Sequence, residues 1–126
     1  MSPQRTSPAW KPWRVKRESN ITQHFRWVAD AGPVDLTGFT IHLLIEWPGG
    51  EIALTSGVDA GLRILDQALA EELGFMAVDL TDQQHAELLL RQPAPRYEFQ
   101  AEAEGLRQPI GEGQVTIDPG LFVHAG

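Results

Sequence analysis

Phe39-Thr40-Ile41-His42-Leu43-Leu44-Ile45-Glu46-Trp47 sets Phe39, Ile41, Leu43, Ile45 and Trp47 on one side of an extended chain and Thr40, His42 and Glu46 on the other. Successive side chains of a strand point to opposite faces, so this period of two reads as a half-buried β-strand. Pro48-Gly49-Gly50 follows as a hairpin turn, because proline presets the first turn angle and glycine accepts a positive φ. Glu51 to Thr55 is then the expected return strand. Upstream, Ile21, Phe25 and Trp27 are separated by Thr22, His24 and Arg26, which predicts a strand from Ser19 to Val28, stopped by the turn chemistry of Asp30-Ala31-Gly32-Pro33.

Downstream, Arg96 to Glu104 alternates with Tyr97, Phe99, Ala101 and Ala103 inward and Glu98, Gln100, Glu102 and Glu104 outward. Glu104-Gly105 is read as a hairpin turn into a last strand, Leu106 to Asp118. Pro109, Gly111 and Gly113 in that strand argue for an edge or a bulge, since proline cannot donate to a central ladder. Between the two halves, Leu62 to Leu65 and Phe75 to Leu80 read as short strands and Asp66 to Leu73 as a helical turn. Thr81 and Gln84 have the spacing of a capping box, so a short helix runs through Leu88-Leu89-Leu90 and ends before Pro93 and Pro95. Six or seven short strands with turns every ten or so residues predict a mostly β chain, an antiparallel sandwich with one short inserted helix.

The chain of 126 residues has room for one domain. Its 42% apolar and 21% charged residues are ordinary for a globular protein, and no apolar run approaches the ~20 residues that cross a bilayer. No membrane partner and no secretory signal is therefore expected. The chain has no cysteine, which removes disulfides, thiolate metal sites and thiol nucleophiles together.

The net charge of −7 is unevenly spread. Five of the ten basic residues (Arg5, Lys11, Arg14, Lys16 and Arg17) precede the first acid, Glu18, so the first 17 residues carry +5 and the remainder, with five basic against 17 acidic residues, −12. An acidic body repels phosphates, so nucleic acid is not the expected partner. Residues 1–18 read as a basic arm containing Pro and Trp, residues 19–119 as the sandwich and 120–126 as a tail. Trp10 and Trp13 fall outside the strand pattern and are costly to leave in water, which makes Trp10, Trp13, Arg14, Lys16 and Arg17 the expected interface. Trp27 and Trp47 fall on inward faces and are expected in the core.

Several segments carry a resemblance in order and spacing: Phe25-Arg26-Trp27, Pro33-Val34-Asp35-Leu36-Thr37-Gly38-Phe39-Thr40, the Pro-Gly-Gly hairpin, Leu80-Thr81-Asp82-Gln83-Gln84, Tyr97-Glu98-Phe99 and Gly113-Gln114-Val115-Thr116-Ile117. Over Asn20 to Pro119 the chain resembles the immunoglobulin-like domains of tailed-bacteriophage tail and baseplate proteins, similar to the N-terminal domain of the baseplate upper protein. The resemblance implies an immunoglobulin-like β-sandwich and a virion structural role, with other phage structural proteins as partners, many copies per particle, and assembly in the host cytoplasm. Read from its own residues, Asp35-Leu36-Thr37-Gly38 is a structural corner: Asp35 and Thr37 bond local amides, Gly38 permits the bend, and Leu36 and Phe39 enter the core.

Chemistry is sparse. His24, His42, His85 and His124 occur singly, without helical metal spacing, although His24 and His42 are placed to meet across a sheet. The acids of Glu98 to Glu104 are explained by the outward side of a strand rather than by a glycosidase pair. No phosphate loop or nucleophile elbow is present. The expectation is a non-enzymatic assembly protein with no catalytic residue, no metal and no cofactor; the alternatives are a carbohydrate-binding host-recognition module and a head-to-tail or capsid-decorating protein.

Overall fold

A computed structural model describes residues 10–16, 22–57, 61–90 and 95–118. Their strands are β1 (Trp13–Lys16), β2 (Gln23–Arg26), β3 (Val28–Ala29), β4 (Gly32–Pro33), β5 (Thr40–Trp47), β6 (Gly50–Ser56), β7 (Gly61–Ile64), β8 (Phe75–Val78), β9 (Arg96–Ala103) and β10 (Leu106–Asp118). One helix, α1 (Asp82–Leu89), lies between β8 and β9, and a single 3₁₀ turn spans Ala70–Glu72. The described residues are mostly β with one inserted helix.

The turns are local consequences of sequence. Pro48 and Gly49 join β5 to β6 in the register Trp47↔Gly50, with Gly49 at φ 95°. Glu104 and Gly105 join β9 to β10, both with positive φ (54° and 78°), the two-residue geometry whose twist matches that of the strands. The α1 N-terminus carries a complete capping box: Gln84 N–H donates to Thr81 Oγ1 at 3.1 Å, and Thr81 N–H donates to Gln84 Oε1 at 3.0 Å.

Eight strands form one continuous sheet in the order β1-β10-β9-β5-β6-β7-β8-β2; β3 and β4 form a separate small hairpin. The outermost strands approach each other. Gln23 Nε2 on β2 donates to the Arg14 carbonyl on β1 at 3.2 Å, and the Trp13 and Phe25 rings meet edge-on, 5.4 Å between centroids. The sheet is thereby nearly closed into a barrel, and its interior takes Ile41, Leu43 and Ile45 from β5, Tyr97, Phe99 and Ala101 from β9, and Leu62, Met76 and Val78 from β7 and β8. Leu36 and the α1 residue Leu88 join the same cluster.

The expected antiparallel arrangement is corrected in two places. The β1–β10 and β6–β7 pairings are parallel, so the sheet is mixed. β1 and β10 lie at opposite ends of the chain and β6 and β7 pair through only two residues each, so short-range turn signals reveal neither pairing.

The expected first strand is also shorter. The ladder holds only Gln23–Arg26, after which Trp27 N–H turns to the Gly74 carbonyl and Val34 N–H to the Trp27 carbonyl, leading the chain into β3 and β4. Ser19 to Ile21 lie outside the described residues, as do residues 119–126.

The corner before β5 is built as a turn. Phe39 N–H donates to the Leu36 carbonyl at 3.0 Å, Gly38 takes φ 86°, and Asp35 Oδ1 accepts from Thr37 N–H at 2.9 Å while Leu36 is completely buried. Gln67 ties this corner to the loop before β8. Its Oε1 accepts from Leu36 N–H and Gly74 N–H, both at 2.9 Å, and its Nε2 donates to the Leu65 and Glu72 carbonyls. One side-chain amide thus satisfies four backbone groups of two loops that have no ladder partners.

Candidate functional site

The division into arm and domain does not hold at its expected boundary. Trp13 is 1% exposed and Val15 3%, and β1 pairs with the end of β10 in the register Trp13↔Val115 to Lys16↔Asp118. Trp13-Arg14-Val15-Lys16 alternates apolar and charged residues as an ordinary strand does, with Arg14 exposed. The expectation that Trp13 forms an intermolecular interface is therefore corrected: its ring contacts Phe25 and Tyr97 inside the domain. Trp10 is half-buried against Phe25 and Phe99, so it too belongs chiefly to its own domain. Conversely, Trp27 and Trp47, expected in the core, are only half-buried at its margin. Arg17 lies outside the described residues.

Glycines make this N-terminal placement possible. A Cβ at Gly111 would fall 2.0 Å from Trp10 Cδ2 and Cε2, and one at Gly113 would fall 2.7 Å from the Tyr97 ring. The two glycines leave a bare track on β10 that the Trp10 and Tyr97 rings occupy. The bulge between Pro109 and Gly111 allows β10 to bend around them. Trp10 N–H donates to the Glu112 carbonyl at 2.7 Å, and the Tyr97 hydroxyl donates to the Lys11 carbonyl. These bonds hold the segment leading into β1.

The anchored segment and β2 enclose an open groove of about 310 Å³ lined by Trp10, Lys11, His24, Phe25, Arg26 and Phe75. The Lys11 ammonium stands 4.7 Å from the centroid of the Phe25 ring, and the Arg26 guanidinium 4.6 Å from that of Phe75. Each cation rests on a π face, a favourable but modest pairing. Partial burial lowers the Lys11 pKa. Arg26 Nε donates to the Leu73 carbonyl at 2.9 Å and Nη2 to the Ala70 carbonyl at 3.5 Å, which together fix the plane of its fork. Among the described residues no carboxylate lines the groove. The arrangement suits an anionic group, held by two cations against aromatic surface.

A second cluster sits on the outer face of β5, β6, β9 and β10. His42 Nε2 is 2.7 Å from Glu102 Oε1, His42 Nδ1 is 3.2 Å from Thr55 Oγ1, and Arg107 Nη2 reaches the same Glu102 oxygen at 3.3 Å. The His42 and Arg107 hydrogen bonds hold the Glu102 carboxyl below its usual pKa. Hydroxyl, imidazole and carboxylate stand in hydrogen-bonding sequence, as a nucleophile, base and orienting group would. The setting does not complete that chemistry: Thr55 is paired with His42 on one side and Gly61 on the other, so its backbone belongs to ladders rather than to an oxyanion site. The cluster reads as cross-strand pairing on a solvated face.

The expected meeting of His24 with His42 does not occur, because β2 and β5 are not neighbours in the sheet. Among the described residues no three His, Asp or Glu side chains converge as metal ligands, and no helix is long and apolar enough to cross a membrane. The charge pattern had pointed to the N-terminal segment but to Arg14, Lys16 and Arg17 rather than Lys11. Arg26 and Phe75 lay within strand patterns and gave no signal of a shared site. No protein-family model matches the chain, and a search of curated proteins finds no match.

Proposed function

We propose that this chain is a non-catalytic structural domain of a tailed-phage virion, placed in the tail, baseplate or tail-fibre attachment and present in many copies. In this reading it assembles with other structural proteins in the host cytoplasm and acts by contact. The nearly closed mixed sheet is taken as a variant of the immunoglobulin-like sandwich. The phage assignment is supported by the motif series from Phe25 to Ile117; its Asp35–Gly38 member forms a tight corner that launches the central strand β5.

The observation that carries the binding role is the groove itself. In a chain of net charge −7, Lys11 and Arg26 line one groove, each over an aromatic ring, with no acid among its described lining residues. Such a surface is shaped for gripping a partner. Mass spectrometry and electron microscopy of virions purified from the producing host test the reading: the chain is expected in stoichiometric amount within tail density, and its absence from the particles would remove the proposal. The aromatic lining also favours a carbohydrate-binding module as a second reading. Binding to immobilised host glycans, abolished by Trp10→Ala, would support that reading over the scaffold.

A further inference from the structure

The sheet order places two oppositely charged surfaces on opposite walls of the molecule. The groove lies at the β1–β2 seam, while β5 and β6 stand farthest from that seam, each three strands from one of its members and four from the other. The outer face around β5 is crowded with acids. Glu46 on β5 lies directly across from Glu51 on β6, and Glu98 on β9 lies directly across from Glu112 on β10. Like charges in register are destabilising in a sheet, and Gln100 Nε2, donating to Glu98 Oε1 at 3.2 Å, offsets part of that cost. Arg96 relieves part of it, opposite Glu46 and 2.5 Å from Glu112 Oε2. Glu46 and Glu51 both remain exposed, beside the half-buried apolar patch of Leu44.

Neither surface can satisfy the other within one chain, because the barrel separates them. We propose that the Lys11–Arg26 groove of one copy receives the acidic β5–β6 face of a second copy, centred on Glu46 and Glu51. Such a contact joins two different surfaces, so it repeats head to tail and closes into a ring or runs on as a filament. This inference rests on the assembly reading and names its partner as the chain itself. It also moves the interacting cations from the Arg14, Lys16 and Arg17 set to Lys11 and Arg26, whose groove is defined by geometry.

Sedimentation velocity of the full chain tests it. At low salt the protein is expected to self-associate, and raising the ionic strength to ~0.3 M should weaken the association, since charge attraction is screened beyond about 10 Å even at 0.1 M. Lys11→Glu and, separately, Glu46→Lys/Glu51→Lys should each weaken association by about tenfold or more. An equimolar mixture of the two variants should regain it, because each then carries the surface complementary to the other. Arg26→Gln provides a milder groove variant, and unchanged circular dichroism confirms that each variant is folded. A wild-type chain that stays monomeric at ~1 mM in low salt, a variant that associates like wild type, or a mixture that stays monomeric would overturn the proposal. A monomeric chain that is nonetheless found in purified virions would leave the assembly reading standing while removing the self-contact.

Discussion

Gly111→Ala isolates the interaction that draws the N-terminal segment into the domain. The substituted Cβ would sit 2.0 Å from two atoms of the Trp10 indole, a distance that no rotamer adjustment of a ring packed against Phe25 and Phe99 can absorb. Backbone strain is not involved, because Gly111 does not occupy the left-handed region. The ring must leave. A fully buried tryptophan removes roughly 150–250 Å² from water, and the half-buried Trp10 on the order of 100 Å², so its expulsion costs about 2.5 kcal/mol at ~25 cal/mol per Å². Loss of the Trp10 N–H bond to the Glu112 carbonyl adds ~1 kcal/mol. Restricting the unfolded chain returns only ~0.4–1 kcal/mol, the gain usually expected of a compatible Gly→Ala change. The net expectation is a destabilisation of about 2.5 kcal/mol, or a fall of roughly 10 °C in Tm. Urea unfolding of wild type, Gly111→Ala, Trp10→Ala and the double variant measures it. If the glycine acts through the ring, the double variant is no less stable than Trp10→Ala, a coupling of ~2 kcal/mol. Additive losses, or a Gly111→Ala protein as stable as wild type, would refute the reasoning.

Trp13→Ala should cost about 3–5 kcal/mol, because it empties a fully enclosed site between Phe25 and Tyr97, and thermal unfolding followed by circular dichroism checks it. Arg14→Gln should leave stability within ~0.5 kcal/mol, since Arg14 is exposed, and self-association close to wild type, since the groove cations are Lys11 and Arg26; sedimentation velocity checks it, and a loss as large as that of Lys11→Glu would place the contact on Arg14 instead. Burial pushes the pKa of Tyr97 up to about 12, and a raised folded-state pKa contributes stability that is complete below the ordinary value near 10 and lost as pH rises toward 12. Tyr97 is the only tyrosine, so tyrosinate absorbance follows it alone, and ordinary titration near pH 10 in the folded protein would contradict its enclosure. Asp79 has the opposite sign: hydrogen bonds from Arg63 and Thr22 depress its pKa, so the stability it contributes is present above the ordinary carboxylate range and lost as pH falls through the depressed value. Asp79→Asn should flatten the acid limb of the urea midpoint plotted against pH.

Much of the sheet was written locally. The alternation of Thr40 to Trp47 and of Arg96 to Ala103, the Pro48-Gly49 and Glu104-Gly105 turns, and the Thr81–Gln84 cap each depend on residues within a few positions of one another, where steric preference and short hydrogen bonds decide the outcome. Trp13-Arg14-Val15-Lys16 obeys the same alternation, but its four residues stand beside prolines and a charge cluster, so the basic character outweighed the pattern. The proline and glycines of β10 signalled a bulge; their second role, clearing space for Trp10 and Tyr97, involves residues a hundred positions away in one case.

By itself, then, the sequence determined the extended segments of β5, β6, β9 and β10, the turns that join them, and the short helix before β9, but not β1 or the β3–β4 hairpin. Only the tertiary structure decided that β1 and β6 take parallel neighbours, that the ends of the sheet meet, and that Lys11 shares a groove with Arg26 and Phe75. Side-chain alternation states which face of a strand is apolar but carries no information about which other strand that face will meet, because burial is non-directional and any apolar surface of fitting shape satisfies it.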